Sequence, residues 1–175
     1  MTDLLAAQIY KCSHLQGEFR LRSGAISGEY FDKYRFESAP QLLRQIAVRL
    51  LDLLPPDVDA LAGLELGGIP IATAVSQLSG LPTLFVRKEP KSYGTCQLAE
   101  GGEISGRRLV IIEDVVTSAG QVIDSSSCLR ELGAVVEVAV CVIDREAGGQ
   151  SNLASEGIEL RALFTMSELQ ASGRR

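Results

Sequence analysis

The densest chemistry in this chain lies between residues 109 and 121. There Leu109-Val110-Ile111-Ile112 is followed by Glu113-Asp114-Val115-Val116 and then by Thr117-Ser118-Ala119-Gly120-Gln121. Four apolar residues deliver two adjacent carboxylates to the end of a buried segment, and small and hydroxylated residues then lead into a helix. Small side chains let backbone N–H groups approach an oxyanion, Thr117 and Ser118 add O–H donors, and a helix start favours negative charge. A phosphate suits the second half of this run. The acidic pair does not suit phosphate, but it accepts hydrogen bonds from ribose hydroxyls, so the run reads as a cradle for a sugar phosphate. A tight strand-to-helix turn carrying two solvated acids would have the same composition.

Two other segments could serve an anionic ligand. Glu65-Leu66-Gly67-Gly68-Ile69-Pro70 sets two glycines before a helix start, where backbone amides could hold a diphosphate. Arg87, Lys88 and Lys91 fall within five positions, followed by Tyr93, Gly94 and Gly101-Gly102. That cationic, glycine-flanked run has the composition of a lid, and equally of an ordinary solvated loop. Neither G-x-x-x-x-G-K-[ST] nor G-x-G-x-x-G occurs, so P-loop NTPase and standard dinucleotide-binding readings lose their main support. The cysteines (Cys12, Cys96, Cys128, Cys141) show no C-x-x-C spacing and His14 is the single histidine, which argues against zinc and for reduced thiols.

The elements that must hold these loops follow from the apolar pattern. A first helix is expected from Thr2 to about Ser13. A second is expected behind Ser38 as N-cap, with Gln41 completing a capping box and Pro40 in the first turn; Leu42, Leu43, Ile46, Ala47, Leu50 and Leu54 form its apolar face. Pro55-Pro56 stops it. Ala60–Leu64, Thr83–Val86, Leu109–Ile112 and Val135–Ile143 read as buried strands, with Leu160–Phe164 as a last one. Helices fit from Gly67-Gly68 to about Leu78, capped by Gly80, and over Gln121–Leu132, stopped by Gly133. Arg87–Gly106 reads as one long polar stretch. Continuous apolar strands alternating with helices indicate an α/β fold with a mostly parallel central sheet flanked by helices. Ligands of such sheets bind outside the carboxyl ends of the strands, which directs attention to the loops after Leu64, Val86, Ile112 and Ile143.

Composition sets the outer limits. The chain has 175 residues, 46% hydrophobic and 22% charged, with a mean hydropathy of +0.15. That is an ordinary globular composition for a single domain over residues 1–175. A net charge of −5 argues against nucleic acid and anionic membranes as partners. No apolar run approaches the roughly 20 residues that span a bilayer, and the N-terminus is not a signal peptide, so a cytoplasmic location is expected.

Four motifs, in order over about residues 15–150, resemble one family. Val110–Gly120 resembles the phosphoribosyl-diphosphate (PRPP) motif of type I phosphoribosyltransferases. Phe19-Arg20-Leu21-Arg22-Ser23-Gly24, followed by Ser27, Tyr30, Phe31 and Asp32, resembles the N-terminal segment of orotate phosphoribosyltransferases. Arg87–Thr95 resembles their flexible catalytic loop, and Asp144-Arg145-Glu146 the place where they hold an arginine against orotate. The resemblance implies the type I phosphoribosyltransferase fold with a small N-terminal hood (about 1–38) and a catalytic loop over 87–106. It implies transfer of phosphoribosyl from PRPP to orotate in pyrimidine (UMP) biosynthesis, with Mg²⁺ held mainly by PRPP and water. It further implies a homodimer in which the loop of one subunit completes its partner's site.

Site residues follow from the same resemblance. Lys91, Lys88 and Asp114 would be catalytic. Arg87, Lys88, Lys91, Tyr93 and the run from Glu113 through Val115, Val116, Thr117, Ser118, Ala119 and Gly120 to Gln121 would bind PRPP, with Leu66, Gly67 and Gly68 at its diphosphate. Arg22, Tyr30, Phe31, Thr117 and Arg145 would bind orotate. A flat, carboxylated pyrimidine wants a guanidinium and an aromatic neighbour. Arg145 is the best candidate for the first, although an ion pair with Asp144 or Glu146 would also account for it, and Arg22 could be a solvated loop charge. Adjacent aromatics point to opposite sides of an extended chain, so one of Tyr30 and Phe31 should face the ligand while the other packs. Many relatives carry lysine at Gly67 and histidine at Tyr93, so this chain has one cation fewer, with Lys88 and Lys91 remaining. Another base, uracil or an oxopurine, and a regulator that binds PRPP without catalysis are the alternatives.

Overall fold

Apolar strands need cover on both faces, and the computed structural model, which describes residues 3–20, 24–88 and 98–173, supplies it. Six strands form the central sheet: β3 (Ala60–Leu64), β4 (Thr83–Val86), β5 (Ala99–Glu100), β6 (Arg108–Val116), β7 (Val135–Asp144) and β8 (Glu159–Thr165), in the order β5-β4-β3-β6-β7-β8. All pairings are parallel except β4 with β5 at the edge. An N-terminal hairpin, β1 (His14–Arg20) with β2 (Ile26–Phe31), forms a separate antiparallel sheet.

Alternate residues of the strands feed two cores. Val110, Ile112, Val140 and Val142 pack with α1 (Leu4–Ser13), α3 (Pro40–Leu50), α4 (Gly68–Ser79) and α7 (Met166–Gly173). Leu109, Ile111, Ala139 and Cys141 pack with α5 (Gly120–Glu131) and α6 (Gly149–Ser155) on the other face. Between β2 and α3 lies the single-turn helix α2 (Tyr34–Glu37).

Local chemistry explains most boundaries. Asp3 caps α1 by accepting the N–H groups of Leu5 and Ala6. Gly80 ends α4 in the left-handed conformation, φ 78°, where glycine has no steric cost.

The capping box expected at Ser38 does not form. Ser38 ends α2 in a helical conformation, donates its hydroxyl to the Arg35 carbonyl, and leaves Ala39 at the N-cap of α3 without a side-chain bond. A true box sits elsewhere: Thr165 Oγ1 accepts the Glu168 N–H, while Glu168 Oε2 accepts the Thr165 N–H at 2.7 Å, and this starts α7. Within Arg87–Gly106 the short strand β5 pairs with β4, so that stretch is not wholly irregular.

Candidate active site

The strand order itself locates the site. From β3 the chain runs through α4 to β4 on one side, whereas β6, β7 and β8 follow one another on the other side. Neighbouring strands β3 and β6 therefore carry connections that leave in opposite directions. Such a switch point opens a crevice at the carboxyl ends of its two strands. Here that crevice lies between the Glu65–Gly68 loop after β3 and the loop after β6.

β6 is longer than its apolar run suggested. Pairing with β7 continues to Val116 opposite Asp144, so Glu113 and Asp114 lie in the strand and not in the loop beyond it. Both are buried, Asp114 completely. Glu113 Oε1 accepts the Asp114 N–H at 2.9 Å, and Asp114 Oδ1 accepts the Val115 N–H. The second oxygen of Asp114 meets Lys33 Nζ at 2.6 Å. Glu37 joins this cluster from α2.

Burial sets the protonation of the three acids. Desolvation, and the Asp114 carboxylate beside it, push Glu37 up to about 9. Desolvation and Asp114 also raise Glu113 well above the ordinary glutamate range. Burial alone would raise Asp114 too, but hydrogen bonds from Glu113 and Lys33 overcome it and hold Asp114 below its usual value. The shifts thus favour the cluster's negative charge resting on Asp114, which faces the Lys33 ammonium. That is how a buried ion pair becomes tolerable.

The diphosphate-type loop is packed onto this acid. A Cβ added to Gly67 would fall 1.6 Å from Asp114 Oδ2 and would have to displace that carboxylate, while one added to Gly68 would fall 2.2 Å from the Ile112 carbonyl oxygen, a backbone atom, so position 68 needs glycine. Gln121 donates from Nε2 to the Glu65 carbonyl at 2.8 Å, fastening the first turn of α5 to the same loop. Thr117 and Ser118 are exposed, and Asn152 holds the Ser118 carbonyl at 3.0 Å. Ala119 takes the left-handed conformation, φ 65°, and α5 begins without any side-chain cap. Its first N–H groups thus have no competing side-chain acceptor, which suits an incoming phosphate.

A cleft of about 190 Å³ lies between the hairpin and the end of β7, lined by Tyr30, Phe31, Arg145, Ser27, Glu29 and Met166. It is smaller than the roughly 300–1,000 Å³ of drug-sized sites, as a single-ring ligand would require. Arg145 is held beside the phosphate loop by its N–H bond to the Val116 carbonyl, 2.9 Å. Its side chain is exposed and forms no ion pair with Asp144 or Glu146. Instead Asp144 accepts the Glu146 N–H, and Glu146 accepts from Ser167. The aromatic pair divides only in part: Phe31 packs against the core near Tyr10 and also lines this cleft, while Tyr30 is 45% exposed and lies 5.5 Å from the Phe19 ring.

The cationic run enters at the same rim. The Lys88 N–H bonds Glu65 Oε2 at 3.2 Å. Arg87 Nε is buried without a hydrogen-bond partner among the described residues. Arg22, Lys91 and Tyr93 lie outside the described residues. Lys33 and Glu37 escaped the motif reading. The available signal was that buried Glu113 and Asp114 need a counter-charge, and Lys33 follows directly on the aromatic pair and Asp32. Among the described residues no group of three or more His, Cys, Asp and Glu side chains could hold a metal ion.

Known proteins resemble this chain over most of its length. The phosphoribosyl transferase domain family matches residues 35–160. An orotate phosphoribosyltransferase from Nocardioides sp. is 53% identical over 168 residues, covering 96% of this chain and 94% of its own. One from Methanocella arvoryzae is 44% identical over 153 residues, 87% of each chain. Among solved structures, Mycobacterium tuberculosis orotate phosphoribosyltransferase in complex with PRPP superposes with a TM-score of 0.82 at 25% identity, covering 95% of this chain and 96% of that one.

Proposed function

This chain belongs to the orotate phosphoribosyltransferases of the phosphoribosyltransferase family, and we propose that it transfers the 5-phosphoribosyl group of PRPP to orotate, releasing orotidine 5′-phosphate and diphosphate. The observation that carries this reading is the β3/β6 crevice, where one buried carboxylate, two glycine amides and an uncapped helix start converge.

The anomeric C–O bond of PRPP breaks as the bond from C1′ to orotate N1 forms, building positive charge on the ribose and negative charge on the departing diphosphate. Catalysis of that kind rests on positioning and electrostatics. Asp114, with Glu113 behind it, accepts the ribose hydroxyls. Residues Val115–Gln121 grip the 5′-phosphate, and the amides of Leu66, Gly67 and Gly68 receive the diphosphate. Arg87, Lys88, Lys91 and Tyr93 close over it as a lid spanning about 87–106. Orotate lies in the cleft of the 1–38 hood, with its carboxylate on Arg145 and contacts to Arg22, Tyr30, Phe31 and Thr117. Ionised orotate is itself a competent nucleophile at N1, so no general base is required.

Mg²⁺ belongs to this reading as an ion carried on substrate oxygens. Both oxygens of Asp114 already have partners, Val115 N–H and Lys33, and the donor set suits a hydrated ion on diphosphate better than a protein cage. When bound there it neutralises leaving-group charge. A homodimer sharing its lids and a cytoplasmic location complete the proposal. No described helix is long and apolar enough to cross a membrane.

A panel assay tests it: diphosphate release from PRPP and Mg²⁺ with orotate, uracil, hypoxanthine and guanine, on protein sized by sedimentation. Release with orotate alone, from a dimer, is expected. Release with another base, or PRPP retained without turnover, would move the chain to a different specificity or to a binding role.

A further inference from the structure

Three parts of the molecule meet at a single atom, Asp114 Oδ2. It receives Lys33 Nζ from the segment joining the hairpin to α2. The backbone of the Gly67 loop lies so near that a Cβ there would fall 1.6 Å away.

Lys33 reaches this point from a tethered backbone. The Asp32 N–H bonds the Ser13 carbonyl at 2.9 Å, and Asp32 Oδ1 accepts the Tyr34 N–H, fixing the turn where the hairpin passes into α2. Its side chain is 34% exposed, whereas that of Asp114 is 1% exposed, so Lys33 is the solvent-facing half of the pair. The loop residues Glu65, Leu66, Gly67 and Gly68 include no cation of their own. Lys33 is thus a side-chain cation paired with the ribose-type acid, whose carboxylate lies against the diphosphate-type loop.

We propose that Lys33 is a positioning residue for PRPP: its ammonium aims the Asp114 carboxylate at the ribose hydroxyls and ties the 1–38 hood to the occupancy of that site. This rests on the PRPP reading above and deepens it. Asp114 has one oxygen fixed by Val115 and the other by Lys33, so the ion pair determines the carboxylate's plane. Without Lys33, the acid keeps its burial and loses its counter-charge, and an anionic substrate loses a cation at the entrance. Because Lys33 belongs to the hood, any substrate that draws on Asp114 also pulls on the segment carrying Tyr30 and Phe31.

The test uses the full chain with Lys33→Gln, Lys33→Met and Lys33→Arg. Gln retains a donor for Asp114, so it keeps the experiment decisive should Met fail to fold. Calorimetry with PRPP and Mg²⁺ should show affinity weakened about 10-fold or more for Gln and Met, because both remove the ammonium charge that pairs with Asp114 and a charge-assisted contact is roughly twice as strong as a neutral one. The KM for orotate should stay within about threefold, and Arg should restore PRPP affinity, a split that a merely structural role would not produce. PRPP should also slow hydrogen exchange across residues 26–38 in the wild type and leave it unchanged in the Gln variant. A folded Gln or Met variant that binds PRPP as the wild type does would overturn the proposal. Wild-type protein that binds no PRPP would instead defeat the underlying reading.

Discussion

A carboxylate without exposed surface is costly to ionise unless donors surround it, and Asp114 shows how this chain meets that demand. Its neighbours divide the labour: Lys33 carries the positive charge, while burial pushes Glu113 and Glu37 toward their protonated forms. Glu37 has a measurable consequence. Its folded-state value of about 9 lies above its ordinary 4.5, so the folded protein binds that proton more tightly than the unfolded chain does. An acid shifted upward makes stability fall as pH rises from its unfolded value to its folded one. The melting temperature should therefore decline from about pH 5 to 9, and Glu37→Gln, which mimics the protonated acid, should flatten that decline and melt higher at pH 8. A steeper decline in the variant, read by calorimetry across that range, would show that Glu37 is ionised in the folded protein.

At the scale of elements, the site depends on how closely the β3 loop approaches β6. Gly68→Ala would drive a Cβ to 2.2 Å from the Ile112 carbonyl oxygen, a backbone atom that cannot move aside cheaply. We expect a loss of roughly 1–3 kcal/mol, as for other overpacked positions, and weaker PRPP binding because the start of α4 must shift. A variant as stable as wild type in urea would contradict that packing. Much of this scale was legible beforehand. Strands β3, β4, β6 and β7 are apolar runs with glycine or proline punctuation, and their order placed the candidate loops on one rim. The misses have physical causes. Ser38 and Gln41 have box spacing, but α2 occupies Ser38, whereas the equally spaced Thr165 and Glu168 do form the box. Spacing alone does not say which serine or threonine is free to be extended. Lys33 was missed because an ion pair between residues 33 and 114 has no local pattern; the need of two acids for a counter-charge could not say which cation the fold would bring to them.

At the scale of the whole molecule, an acidic chain must draw in a strongly anionic substrate. With a net charge of −5, the long-range field is unfavourable, so the positive charges have to be concentrated at the mouth of the crevice. Arg87, Lys88 and Lys33 stand at that rim, and Arg145 marks the adjoining cleft. The hood supplies an aromatic wall on one side, the sheet supplies acids and amides below, and the C-terminal α7 returns to pack on α1, so the hood's base is held by both chain ends. The central claim is that the activated pentose sits where β3 and β6 part. A crystal structure of the protein soaked with PRPP and Mg²⁺ tests it most directly. Density should place the 5′-phosphate against the backbone of Thr117–Gln121, the ribose hydroxyls on Asp114, and the diphosphate along Leu66–Gly68. PRPP bound elsewhere, with Asp114 still engaged only by Lys33, would contradict the account.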